Sequence, residues 1–575
     1  MRAPRLRRRP AGDPDALPSS LSPVLRRVLA ARGVGADALT LELKDLLPPS
    51  SLTQADAAGR LLADAIAAGE PLVIAGDYDA DGATGTALAV LGLRALGATS
   101  VQYVVPDRFR MGYGLSPALA ELAAATGARV LVTVDSGIAS IKGVARAREL
   151  GLRVVITDHH LAGSELPAAD VIVNPNQPGC TFPSRHLAGV GVMFYVLLAL
   201  RAVLRERGAF AAREEPNLSE LLDLVAVGTV ADVVRLDRNN RILVEQGLRR
   251  LRAGRARPGI QALLQVAGRD ASRLSATDLG FTLGPRINAA GRLDDIRTGI
   301  DCLLAPDYDT ALSLARTLDQ FNRSRREIEA QMREDALVMV EDDPSVGVCL
   351  YQDDWHEGVV GIVAGRMKER LHRPVIAFAR AQEGGLLKGS GRSIPGLHLR
   401  DALVAVDARA PGLIERFGGH AMAAGLTLRA EALDEFRARF DAECRALLDE
   451  AALEHCLDTD GELAADELDL ATAHCLEQAG PWGQGFPEPL FEGAFEVVEA
   501  RPVGADGAHI KYRLRQAGAV LSAIDFHGAE RLVARGAVHC AYRLAVNRYQ
   551  GRESVDLQIQ ALTPRDQGSV VQRVR

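Results

Sequence analysis

Five short apolar runs recur through the first third of the chain: PLVIA (71–75), VQYVVP (101–106), RVLVTV (129–134), RVVIT (153–157) and DVIVNP (170–175). Between several of them lie Ala- and Leu-rich stretches with helical spacing, such as TGTALAVLGLRALGA and SIKGVARARELG. Near-continuous apolar strands alternating with helices predict an α/β fold with a parallel sheet covered on both faces. Ligands of such sheets bind beyond the carboxyl ends of the strands, so chemistry is expected in the residues that follow each run. The most apolar segment, LAGVGVMFYVLLAL (187–200), is shorter than the roughly 20 residues of a membrane span. It predicts a buried helix and no membrane association.

The pattern then changes. Residues 307–341, containing LDQFNRSRREIEAQMREDALVMV, are dense in charge and sparse in apolar positions, which predicts a solvent-bridging connector helix. VGVCLY, WHEGVVGIVAGRMKERLHRPVIAFA, LLKGSGRSIPGLHLRDAL and FGGHAMAAGLTL mark a second α/β region. Beyond it, GPWGQGFPEPLFEGAFEVVEA, KYRLRQAGAVLSAIDF and CAYRLAVNRYQGRESVDLQIQAL read as short alternating strands between Gly and Pro turns, the pattern of a small β-barrel. The expected organisation is an N-terminal tail and lead-in (1–48), a parallel-sheet domain (49–300), a connector helix (301–342), a second α/β domain (343–452) and a C-terminal barrel (453–575).

Composition narrows the function classes. With 575 residues the chain exceeds one core, and 47% hydrophobic with 25% charged residues is ordinary for globular protein. A net charge of −7 gives no general attraction to nucleic acid, so any such binding must come from local basic patches. One is the stretch RLDRNNRILVEQGLRRLRAGRAR (235–257), which reads either as a solvated helix face or as a basic wall for a polyanion. The seven cysteines are scattered and form no CxxC pair, which predicts reduced thiols in a cytoplasmic protein. The N-terminal MRAPRLRRRP has no apolar region behind it; it predicts a disordered tail suited to a polyanion, not a secretory signal.

The first strand end reads GDYDADG, placing Asp77, Asp79 and Asp81 within five residues. In an extended or turning segment, alternate residues project to one side, so the three carboxylates are expected to converge on one volume. At about 4 Å each pair repels by roughly 4 kcal/mol at an effective dielectric near 20. Relief comes from protonation, a nearby Arg or a divalent metal; the bland alternative is a solvated loop in which Asp caps the next helix. The other strand ends are also acidic: Asp135 in DSG, Asp158, His159 and His160 in DHH, and Asp232 in GTVAD after a helical run. Jointly these oxygen and imidazole groups suit manganese or magnesium.

DYDADG, VDSG, TDHH and GTVAD, in this order and spacing, resemble the four motifs of the DHH phosphoesterase superfamily. Within it, the whole chain is similar to bacterial exonucleases specific for single-stranded DNA. The resemblance implies that Asp79, Asp81, Asp135, His159 and Asp232 hold two divalent ions, Mn2+ or Mg2+, with Asp135 bridging. Asp77 and Asp158 become supporting ligands or the groups behind them, and His160 sits beside the scissile phosphate. The region 343–452 resembles the DHH-associated domain, including its Gly418-Gly419-His420, and the barrel resembles an OB-fold.

By the same resemblance, Arg286 and Arg292 in GPRINAAGRLDD are candidates to contact the substrate backbone, and Ser390 and Arg392 in GSGRS to bind a 5′-phosphate. Arg108 is a candidate for phosphate and Tyr113 for base stacking, with simple packing the plainer reading of Tyr113. His356 and His420 serve structure or substrate. On the barrel, Tyr512, Phe526, Tyr542 and Tyr549 are available as stacking platforms and Arg513, Arg515, Arg543 and Arg548 as groove charges, with core packing expected to claim about half of the aromatics. The implied activity is 5′-to-3′ exonuclease digestion of single-stranded DNA to mononucleotides in repair and recombination, with a single-strand-binding protein and a helicase as candidate partners. Two alternatives stand beside it: a DHH phosphodiesterase of short oligonucleotides or cyclic dinucleotides, and a catalytically silent DNA-binding scaffold.

Overall fold

The computed structural model describes residues 4–108, 111–341, 343–381, 384–504 and 507–565. They form two compact units, one comprising Leu41–Ala330 with Pro481–Phe486, the other Met1–Thr40, Gln331–Gly480 and Pro487–Arg575.

In the first unit the five predicted strands are all present and all parallel, in the spatial order Val101–Val104, Leu72–Ala75, Val130–Val134, Arg153–Thr157, Val171–Val173. The Leu72, Val130 and Val171 strands are buried along their whole length, as a parallel sheet with covered faces requires. Val73, Leu131 and Val154 face a core built with Leu119 and Val144 of the Pro117–Ala125 and Ile141–Glu149 helices. The helix Ala80–Leu96 packs on Gly189–Glu206 and Leu222–Ala231. Gly189–Glu206 is the apolar run of the sequence, and it is buried as expected. Among the described residues no helix is long and apolar enough to cross a membrane. The charged stretch after 307 is the 32-residue helix Tyr308–Met339.

The Arg-rich stretch is only partly a solvated face. It forms the helix Arg238–Arg252, in which Arg249 pairs with Glu42 at 2.8 Å and Glu245 at 2.9 Å, and beyond it Arg257 pairs with buried Asp223 at 2.6 Å. Much of the expected basic wall is therefore neutralised inside its own unit.

The second unit contains a five-stranded mixed sheet ordered Arg416–Gly419, Ala423–Arg429, Leu386–Arg392, Val375–Arg380, Val348–Tyr351, over a core that includes Phe378, Leu426, Phe436 and Phe440. It also contains a closed barrel of strands Phe491–Val503, His509–Gln516, Ala519–Asp525, Arg552–Pro564 and Gly536–Tyr549. Tyr512 and Tyr542 fill the barrel interior, whereas Phe526 and Tyr549 are exposed, so packing takes two of the four aromatics.

The N-terminal expectation fails. Arg5–Arg8 is not disordered but a strand paired in parallel with Cys456–Thr459. Its arginines are matched by acids: Arg5 with Glu454 at 3.3 Å, Arg7 with Asp458 at 2.7 Å and Arg8 with Glu492 at 3.0 Å. Arg32 clasps Asp460 through two bonds of 2.6 and 2.9 Å, both side chains buried. Partners some 450 positions away are invisible to a reading of local charge.

Candidate metal centre

Every acidic motif lies where a parallel sheet displays its ligands. Asp77 follows the Leu72 strand, Asp135 the Val130 strand and Asp158 the Arg153 strand, while Asp232 ends the Leu222–Ala231 helix. Asp79 is the N-cap of Ala80–Leu96: its Oδ1 accepts from the amides of Asp81 and Gly82 at 2.9 and 3.0 Å. The cap role is observed, and it is compatible with a ligand role for the same residue. Because the helix starts at Ala80, Asp81 sits in its first turn and the three carboxylates do not share one volume. Asp77 and Asp79 group with Asp135, whereas Asp81 groups with His159 and Asp232; Asp135 also groups with His159 and His160.

The two groups adjoin. Asp135 Oδ1 lies 3.0 Å from His159 Nε2, which in turn lies 3.5 Å from Asp232 and 4.0 Å from Asp81. Yet Asp135 Oδ1, His159 Nε2 and Asp77 Oδ1 are buried without a hydrogen-bond partner. Buried polar atoms left unsatisfied in this way are costly. The Asp135 oxygen lies beside the His159 nitrogen, and the Asp77 carboxylate groups with Asp79 and Asp135; oxygen and imidazole donors so placed fit divalent cations.

Electrostatics agrees. Burial, then the charge of Asp232, pushes Asp81 up to about 7. Burial and Asp79 push Asp232 up to about 8. Asp77 and Asp135 are raised well above the carboxylate range by burial and by Asp79 and Asp81 respectively. His159 is lowered by burial and by neighbouring His160, leaving it neutral with a free lone pair. Four like charges crowded in a buried site resist ionisation unless a cation joins them.

Asp158 is different: it is fully engaged. Its Oδ1 accepts from the His159 and His160 amides at 2.7 and 3.1 Å and from His160 Nδ1 at 2.8 Å, and its Oδ2 from Ile138 N at 2.9 Å. Burial opposes its charge, but the bond and charge of His160 hold it below its ordinary value. Burial likewise opposes the charge of His160, and the bond to Asp158 outweighs it, pushing the imidazole up to about 9.

Several other residues are expected to meet substrate. The ring of Tyr113 is half exposed, but its hydroxyl donates to the Asp135 carbonyl at 2.9 Å and lies 3.0 Å from His160 Nδ1, so plain packing does not describe it. The Arg108 guanidinium lies 4.9 Å over the Tyr78 ring, and the charges of Arg108 and Arg292 both act on Tyr78. Arg286 is more constrained, bonded to Asp319 and to the Thr282 carbonyl at 2.9 and 2.7 Å. In the second unit, Arg392 donates to Ser390 Oγ at 3.1 Å, His420 is exposed, and His356 accepts from Gly358 N at 3.0 Å.

Residue-by-residue reading missed the supports. The amides of Gly189 and Val190, at the start of the apolar helix, donate to Asp81 at 2.6 and 2.9 Å, a helix N-terminus facing an anion. Asn176 and Asn174 hold the carbonyls of His159 and His160 at 2.6 and 2.9 Å, and Asn288 accepts from Ala80 N at 2.7 Å. The signals were NPNQ just after a strand, the glycines of GVG, and the Asn of RINAAG.

Comparison with known proteins follows the same lines. Residues 71–229 match the DHH family N-terminal domain, 343–446 the DHHA1 domain and 459–561 the RecJ OB domain. The chain is 53% identical over 572 residues to the single-stranded-DNA-specific exonuclease RecJ of Dickeya dadantii, covering 97% of this chain and 99% of that one. It resembles the crystal structure of RecJ from Thermus thermophilus in complex with Mn2+ with a TM-score of 0.83 at 29% identity, over 98% of this chain and 80% of that one. The Mg2+ complex of the same protein gives 0.72 at 29% identity, over 95% and 78%.

Proposed function

The chain belongs to the RecJ family of single-stranded-DNA-specific exonucleases, and on that footing we propose that its sheet-edge cluster hydrolyses the strand from the 5′ end, one mononucleotide at a time. The enzyme is a divalent-metal-dependent nuclease acting on single-stranded DNA. Asp81, His159 and Asp232 would hold one ion and Asp77, Asp79 and Asp135 the other, with Asp135 near enough to His159 to serve both. When bound, the ions supply hydroxide from water and stabilise the attacking and leaving oxygens of an in-line displacement.

The chain's own groups have distinct tasks. The amides of Gly189 and Val190 hold Asp81 in place, and neutral His159 offers its lone pair. Protonated His160, oriented by Asp158 and beside the Tyr113 hydroxyl, places a positive charge where the scissile phosphate accumulates negative charge. Arg108 and Arg292 are suited to neighbouring phosphates. Ser390 and Arg392 are suited to a terminal 5′-phosphate, which a guanidinium can hold through two bonds. A helicase would generate the single strands such an enzyme consumes, and a single-strand-binding protein would present them.

The observation that carries this reading is the set of buried, unpartnered ligand atoms on Asp77, Asp135 and His159. The test is digestion of one oligonucleotide, labelled at either end in separate samples, with Mn2+ and then with EDTA. Immediate release of a 5′-labelled mononucleotide, abolished by EDTA, is expected. Release of the 3′ label first would reverse the polarity, and hydrolysis confined to dinucleotides would point to the small-substrate reading.

A further inference from the structure

Residues 481–486, PWGQGF, lie in the chain between the Leu470–Gln478 helix and the barrel strand Phe491–Val503, both of the second unit, yet they belong to the first. There they grip the loop that follows Asp232. The Gln484 carbonyl accepts from Leu236 N at 2.7 Å. Gly483 and Phe486 exchange backbone bonds of 2.9 and 3.1 Å, closing a tight turn. A Cβ on Gly483 would lie 2.7 Å from Leu236 Cδ1, and one on Gly485, whose φ is +70°, would strike the Arg235 side chain. The turn is braced by aromatic contacts: Trp482 and Phe486 stack at 5.0 Å, and the buried Arg241 guanidinium lies 3.9 Å over the Phe486 ring.

The gripped loop is strained. Val233, the residue after Asp232, has φ +59° and is 63% exposed. A β-branched side chain is disfavoured in that conformation, which persists only where the surroundings over-determine it. Packing of the Val233 side chain does not do so. The Val233 amide donates to the Val230 carbonyl at 3.2 Å at the helix end, and further restraint acts two and three residues on: Asn240 Nδ2 donates to the Arg235 carbonyl at 2.9 Å from one side, and the hexapeptide holds Arg235 and Leu236 from the other.

We propose that Pro481–Phe486 is a positioning element for the metal centre, fixing Arg235 and Leu236 so that the strained turn at Val233 presents Asp232 to Asp81 and His159. The inference rests on the reading of Asp232 as a metal ligand. Groups that orient ligands without touching the metal commonly control its affinity, and here the orienting group comes from some 250 residues downstream.

The experiment titrates Mn2+ into the full chain by electron paramagnetic resonance, comparing wild type with Asp232→Asn, Phe486→Ala and Phe486→Tyr. Phe486→Ala is expected to weaken Mn2+ binding by about 10-fold or more and to lower kcat at limiting Mn2+, with kcat recovering in excess Mn2+ and KM for an oligonucleotide unchanged. Phe486→Tyr, which keeps the ring under Arg241, is expected to bind as wild type. Gly483→Ala, which presses on Leu236, repeats the test should Phe486→Ala lose its circular-dichroism signature of folding. Wild-type Mn2+ affinity in the folded Phe486→Ala or Gly483→Ala variant, beside weakened affinity in Asp232→Asn, overturns the positioning role. Wild-type affinity in Asp232→Asn overturns the ligand reading itself, and the positioning role with it.

Discussion

At the scale of single residues, the site depends on carboxylates held where they do not ionise easily. Asp135 has φ +64°, a left-handed conformation that Asp and Asn visit more readily than other side chains with a Cβ. Asp135→Asn therefore keeps both the backbone preference and the shape while removing the charge. Hydrolysis is expected to fall by about 10³-fold or more, because several kcal/mol of transition-state stabilisation are at stake. Strand binding, followed by fluorescence anisotropy, should change little; near-wild-type turnover would contradict the assignment. A second expectation concerns pH. With folded values pushed up to about 7 for Asp81 and about 8 for Asp232, the metal-free fold binds more protons than the unfolded chain between about pH 4 and pH 8. Its stability contribution from these groups is present below the unfolded pKa and lost as pH rises through the folded values. A divalent ion replaces those protons, so the rise in Tm caused by Mg2+ over EDTA should grow from pH 6 to pH 8.5. A rise in Tm that does not vary with pH would show that these carboxylates are not the ligands. The motif residues were legible because each sits next to its own strand or helix end in the sequence. Their partition into two groups was not, since it turned on the helix beginning at Ala80.

At the scale of elements, the Gly189–Glu206 helix is a packing element whose first turn also holds Asp81 of the proposed metal centre. Its apolar run announced burial but gave no reason for glycine at its first turn. In the fold, a Cβ on Gly189 would lie 2.5 Å from Asp135 Cβ and 2.7 Å from Asp135 Oδ1, while its amide donates to Asp81. Only glycine lets the helix terminus approach both carboxylates. Gly189→Ala is expected to cost about 1–3 kcal/mol of stability through overpacking and to reduce Mn2+-dependent turnover by about 10–100-fold. Thermal unfolding and steady-state kinetics measure the two effects separately, and a stable variant with full turnover would remove the helix terminus from the machinery. The parallel strands were legible for a simple reason: each is a continuous apolar run, and the alternation with helices fixes the sheet type. The Arg5–Arg8 strand was illegible for the opposite reason. It pairs with residues 456–459, and nothing in a run of arginines identifies acids that far along the chain.

At the scale of the whole molecule, a chain of net charge −7 must bind a polyanion through a few positions where positive charge is left uncompensated. Many arginines named from the sequence are already matched: Arg515 pairs with Glu496 at 3.0 Å, Arg543 with Glu488 at 2.9 Å and Arg548 with Glu477 at 2.6 Å. Arg513 makes no ion pair among the described residues, and it lines a concavity on the outer face of the barrel with Arg501, Ser522, Lys511, which Asp556 matches at 2.9 Å, and Glu499, the neighbour of Arg513 across the strands. Among the described residues neither Arg501 nor Arg513 makes an ion pair, which leaves both free to exchange counter-ions for phosphates. The metal centre proposed above belongs to the other unit, so loss of these charges is expected to weaken binding of long strands and not of a dinucleotide. The double variant R501E/R513E is expected to raise KM for a long oligonucleotide while leaving KM for a dinucleotide unchanged. Its slope of log Kobs against log salt should shrink by about 0.7 for each phosphate the variant no longer neutralises. Equal weakening at both lengths would place these arginines' effect in the stability of the barrel, and no weakening at either would put the strand on another face.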